Sequence, residues 1–264
     1  MINANINGGV RTAFKSSRLK FAGSNVTIGR SGNARSLPLQ MPETSLMTAN
    51  TVIDFSQGAI TTSTETTHVA LQGTGFFKLR RIQDDPLDPN TQFYYSRDGE
   101  FHWMQLPVGA AYGTPGGGTS SNSAARSVLV NSAGLAVTEN DSDLISFKND
   151  FSDPVLNPGS YTSWTRYRDS NFALFADVKK FRDPQALLFS RYGSTVFSAP
   201  PQAGTETAVT TAETTRLTKS LEASNASMTQ SVPELSLAQK LFSALTKVLQ
   251  ISQTNTDALL NLIR

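Results

Sequence analysis

The sequence predicts a mainly β domain of short antiparallel strands, followed by a long C-terminal α-helix that packs in an oligomeric coiled-coil layer. Three observations carry that prediction. Between residues 51 and 201, short apolar runs alternate with Gly, Pro, Asn and Asp turn signals. From Ser231 to Arg264 one apolar stripe recurs at helical spacing, with no Gly and no proline after Pro233. Hydrophobic residues make up only 38% of the 264 positions, which implies a modest core and parts that depend on a partner.

Taken in order, residues 1–50 form an irregular lead-in. Asn3 to Gly9 is rich in Asn and Gly, both poor helix formers, so no N-terminal helix is expected there. Pro38 and Pro42 argue for an extended connector, and order begins at Thr51. A β-rich domain then spans 51–201. Val69 to Leu71 and Phe76 to Leu79 read as strands flanking a glycine turn or bulge at Gly73-Thr74-Gly75. Phe93 to Phe101 reads as a strand entering a hairpin at Asp98-Gly99, the strongest short-range hairpin signal.

A Gly/Ser/Thr-rich stretch within 105–126 predicts a mobile insertion. Val128 to Val137, around a turn at Asn131–Gly134, reads as a second hairpin. Further strands are expected at Phe172 to Val178, Ala186 to Phe189 and Tyr192 to Phe197. Residues 202–230 read as a linker, Thr/Ala/Glu-rich and poor in bulky side chains through 216.

Ser231, Pro233 and Glu234 make a helix start: a Ser cap, a proline in the first turn, and a capping box closed by Glu. The run makes a rod of roughly 45 Å at about 1.5 Å per residue. Leu241, Leu245, Val248, Ser252, Asn255, Leu259 and Leu262 define the seam. Leu235, Ala238, Phe242, Leu249 and Ile263 widen it, so these twelve residues are the expected assembly interface. The opposite face has few charges and many Ser, Thr, Gln and Asn, which suits packing against protein. Ser252 and Asn255 in the seam favour an oligomer, because buried polar groups there specify register.

Several chemistries find little support. With no cysteine there are no disulfides, thiolate zinc sites or thiol nucleophiles. His68 and His102 are the only histidines and lack metal-ligand spacing. Gly73-Thr74-Gly75 is followed by a strand, with no helix N-terminus to hold phosphate. Asp84 to Asn90 clusters oxygens but lacks the calcium-loop pattern and reads as a solvated turn. Lys179-Lys180-Phe181-Arg182 reads as a strand end, and a net charge of +2 leaves no nucleic-acid footprint. No catalytic residue, metal or cofactor is expected. Neither a signal-peptide core nor a membrane-spanning run is present, so membrane insertion is not expected.

Three stretches stand out as motifs. The first is Phe55-Ser56-Gln57-Gly58 leading to Leu71-Gln72-Gly73-Thr74-Gly75-Phe76-Phe77. The second is Tyr95-Ser96-Arg97-Asp98-Gly99-Glu100-Phe101, with Leu129-Val130-Asn131 to Gly134-Leu135-Ala136-Val137 after an insertion. The third is Leu221-Glu222-Ala223-Ser224-Asn225, then Ala238-Gln239-Lys240-Leu241-Phe242 and Thr254 to Leu259. In this order they resemble the flagellar basal-body rod and hook protein family. Asn3 to Arg18, ending in Phe14-Lys15-Ser16-Ser17-Arg18, resembles the segment that follows the family's N-terminal helix.

The resemblance implies a non-enzymatic subunit that polymerises helically into a tube, with terminal helices inside and the β domain outside. Its implied partners are copies of itself, other rod and hook subunits, and the flagellar export apparatus. Its implied place is the periplasm-spanning basal body, reached without a cleaved signal peptide. The match begins mid-motif, so the expectation is a longer native chain or a subunit that assembles with one terminal helix. A second class also fits: a secreted binding module or adhesin trimerised by its C-terminal helix.

Overall fold

The computed structural model describes residues 1–23, 28–30, 39–41, 46–84, 88, 90–109, 111–114, 118–121, 126–139, 143–148 and 176–262. The chain is mainly antiparallel β-sheet, and one long helix, Met228–Leu262, leaves it at the C-terminus. The main sheet runs in the order Ser146–Lys148, Arg126–Val130, Ala136–Glu139, Phe76–Arg80, Tyr94–Ser96, Gly193–Ser198 and Leu188–Ser190. Every neighbouring pair along it is antiparallel.

Period-two alternation on its central strands buries both faces. Phe77, Tyr94 and Val196 enter a cluster with Val69, Leu71, Phe101, Leu129 and Val137. Their chain neighbours Phe76, Tyr95 and Phe197 enter a second cluster with Ile53, Phe181 and Leu187. Edge-to-face aromatic pairs tie each layer, Phe77 on Phe101 at 5.0 Å and Tyr95 on Phe181 at 4.6 Å.

The hairpin expected at Asn131–Gly134 forms, pairing Val130 with Ala136. Asn131 Oδ1 accepts from Ala133 N and Leu135 N, and Gly134 takes φ +77°, so local turn chemistry suffices. The hairpin expected at Asp98-Gly99 does not. Tyr94–Ser96 pairs with Phe76–Arg80 and Gly193–Ser198, whereas His102–Leu106 pairs with Arg126–Val130. Gly99 serves a close approach instead: a Cβ there would lie 1.6 Å from the Val69 carbonyl oxygen.

Residues 202–230 are not a linker throughout. Thr207–Ala208 pairs with Lys179–Lys180, Thr214–Thr218 with Val69–Gly73, and Ser220–Glu222 with Ile60–Thr62. Threonine favours strands, and its abundance here marks pairing rather than flexibility. Side chains pin the stretch: Glu206 accepts from Lys78 Nζ and Tyr95 Oη, each at 2.5 Å, and Thr214 Oγ1 donates to Thr74 O at 2.9 Å.

The lead-in is likewise more ordered than predicted. Ile2–Gly8 is a short helix, with Gly8 buried against the Phe14 ring. Ser17–Gly23 pairs antiparallel with Leu46–Ile53, and Ile28–Arg30 pairs with Leu39–Met41. Arg18, Leu19 and Lys20 are solvent-exposed, which removes the burial pattern that would have marked the strand. Within the insertion, Ala111–Thr114 pairs with Gly118–Ser121. Of the expected strand from Phe172, residues 172–175 lie outside the described residues; Val178–Lys180 pairs with Phe76–Arg80.

The C-terminal helix begins a turn before the expected cap. Ser231 N donates to Ser227 O at 3.0 Å, so Ser231 is already helical, and Pro233 lies inside the helix. The 35 residues make a rod of roughly 50 Å.

Candidate assembly interface

The N-terminal helix packs beside the C-terminal one. On the long helix Ser231 is buried and Leu235 is half-buried, but every side chain described from Ser236 to Asp257 is exposed. Among the predicted interface residues, Leu241, Phe242, Leu245, Val248 and Leu249 stand free, Phe242 at 74% exposure. Ala238, Ser252 and Asn255 are exposed with them. Leu259 and Leu262 belong to the last turns of the helix, and Ile263 lies outside the described residues. The stripe is wider than predicted, because Leu237 and Ile251 are also more than half exposed. At 100° per residue, Ile251 to Leu235 covers an arc of about 200°. A two-per-heptad seam is narrower, so this arc fits more than one neighbour.

The polar face is unusual in a second way. Ser243, Thr246 and Thr254 each donate to the carbonyl four residues earlier, at 2.8–3.0 Å, and Thr256 does the same from within the stripe. Their hydroxyls are satisfied within the helix and do not need water.

The root of this helix is held by a buried clasp. Glu222 Oε1 accepts from Lys15 Nζ at 2.6 Å and from Gly58 N at 2.9 Å, and its Oε2 accepts from Arg97 Nε at 2.8 Å. Lys15 also donates to Ser56 O at 2.7 Å. Arg97 spends its remaining donors on the glycine turn, reaching Gly73 O, Gly75 O and Leu71 O at 2.8–3.0 Å. The side chains of Lys15 and Glu222 are fully buried, and that of Arg97 is 3% exposed. Burial pulls the Lys15 ammonium below its usual range, and the Glu222 carboxylate opposes that shift.

Three residues on, Asn225 completes the grip. Its Oδ1 accepts from Ser16 N at 2.7 Å, while its Nδ2 donates to Asp54 O at 2.6 Å and Ser56 O at 3.0 Å. Gly58 must be glycine here, since a Cβ would meet Ala223 O at 2.0 Å. Lys15, Gly58, Arg97, Glu222 and Asn225 thus converge from four separate stretches. All five belong to the motif stretches of the sequence, where nothing local gives any of them an individual role.

The other candidate chemistries are accounted for by geometry. Gly73-Thr74-Gly75 presents carbonyl oxygens to a guanidinium, the reverse of a phosphate cradle. In the basic cluster, Lys179 and Phe181 are buried and Lys180 pairs with Glu213. Asp84 is taken up by Arg81 Nε at 2.8 Å, while Asp85, Pro86, Leu87 and Pro89 lie outside the described residues. Among the described residues, no three of His, Cys, Asp and Glu gather as metal ligands. No helix among them is long and apolar enough to cross a membrane.

Beside the clasp a cleft is lined by Arg11, Thr12, Asp98, Glu100, Ser132 and Tyr192. Thr12 Oγ1 lies 3.0 Å from Asp98 Oδ1 and 3.2 Å from Glu100 Oε2. Burial raises the Asp98 carboxyl above its usual range, against hydrogen bonds from Glu100 N and Thr12. No protein-family model matches the chain, and no curated protein matches it.

Proposed function

We propose that this protein is a structural, non-enzymatic subunit of the bacterial flagellar basal-body rod that polymerises helically through its terminal segments and transmits torque. The observation that carries the reading is the C-terminal helix. It exposes Leu241, Phe242, Leu245, Val248, Leu249 and Ile251 along one stripe. Each such side chain gains about 1.5–3 kcal/mol on full burial, so a monomer leaves a large driving force for association unspent. The partners are copies of this chain and other rod and hook subunits, delivered by the flagellar export apparatus to the periplasm-spanning basal body.

The motif resemblance supports this reading in a second way. The motif residues Lys15, Arg97, Glu222 and Asn225 meet at the helix root, where they hold the helix to the β domain. Force passing along the helix therefore has a bonded route into the sheet.

Negative-stain imaging and sedimentation of concentrated protein test the proposal. Tubes or short rods are expected. Discrete trimers would replace the reading with a helix-trimerised binding module.

A further inference from the structure

The clasp ties two ends of the chain to one carboxylate. Residues 12–16 have no strand partner. Ala13 N donates to Glu222 O at 2.8 Å, Asn225 N to Phe14 O at 3.2 Å, and Ser16 N to Asn225 Oδ1. Lys15 and Arg97, 207 and 125 residues from Glu222, share that one acid. The three apolar clusters of the sheet, by contrast, draw only on residues between Ile53 and Val209. Among the described residues, these clusters therefore take no side chain from residues 12–16 or 220–231.

We propose that the clasp is a two-ended interlock. The N-terminal segment around Lys15 and the root of the C-terminal helix dock and release as one unit, while the sheet stays folded. Removing Glu222 leaves Lys15 and Arg97 buried without a counter-ion, and removing Lys15 leaves Glu222 with one cation where it had two. Release is the route that rehydrates a stranded group, because both segments reach solvent once they part. A local opening that joins both chain ends is then the lowest step on the unfolding ladder. The helix is presented at a defined angle only while the N-terminal segment is seated. The interlock is independent of what the helix docks against.

Amide hydrogen exchange on the full-length chain tests this, with Glu222→Gln and Lys15→Met beside the wild type. In both variants exchange is expected to speed up by about tenfold or more at residues 12–18 and, by a similar factor, at 220–231. Residues 76–80, 94–96 and 128–137 should keep wild-type protection. Lys15→Met is the sharper variant, since Glu222 keeps Arg97 and the residues read out lie more than 200 positions away. Acceleration confined to 12–18 overturns the interlock. So does a loss of protection in the sheet equal to that at the ends, in either variant.

Discussion

The Tyr95 hydroxyl donates to Glu206 Oε2 at 2.5 Å, across 111 residues of chain. The other carboxylate oxygen takes Lys78 Nζ, whose side chain is 4% exposed and sits 4.0 Å above the Phe93 ring. Burial and the Glu206 charge push the Tyr95 hydroxyl far above its usual range, so it remains a donor at any physiological pH.

Glu206→Ala would strand that lysine. The expected loss is about 2–4 kcal/mol of stability, seen as a lower thermal midpoint. Residues 202–216 should resist limited proteolysis in the wild type and be cut in the variant. Equal cleavage of both chains would mean that Glu206 does not anchor this stretch.

Gly99→Ala and Gly134→Ala separate two uses of glycine. A Cβ at Gly99 would collide with the Val69 carbonyl, whereas Gly134, at φ +77°, has open space around it. The first should cost about 3 kcal/mol and the second about 1 kcal/mol in urea denaturation. Similar costs would contradict the close approach at Gly99.

Leu245 is 63% exposed, so Leu245→Asp should leave the β domain's thermal transition within about 0.5 kcal/mol of wild type. Sedimentation should show the variant monomeric at concentrations where the wild type assembles, because a buried charge in the seam costs several kcal/mol. A variant that still assembles would remove Leu245 from the interface.

Asp98 sets a pH dependence with an uncommon sign. Its folded-state carboxyl is raised above the ordinary 3.8, so the native form holds a proton that the unfolded chain has released. Stability from this group is therefore largest below 3.8 and falls as pH rises towards the native value. Asp98→Asn keeps the acceptor for Thr12 and Glu100 N and should flatten that fall. Urea midpoints measured from about pH 4 to pH 7 check it. A wild type and a variant with parallel pH profiles would rule Asp98 out as the source.

What the sequence determined by itself was whatever neighbouring residues decide among themselves. The long helix was legible because its apolar stripe repeats over many turns, and the Asn131–Gly134 hairpin because Asn131 bonds residues within its own turn. Only the tertiary structure decided the rest. Asp98-Gly99 carries hairpin chemistry, but Val69 occupies the space a Cβ would need, and the chain crosses to another strand. Thr214–Thr218 looks like linker until Val69–Gly73 pairs with it. Lys15, Arg97 and Glu222 are three scattered charges in the sequence, and their bonds form only after the folded chain has brought distant segments together.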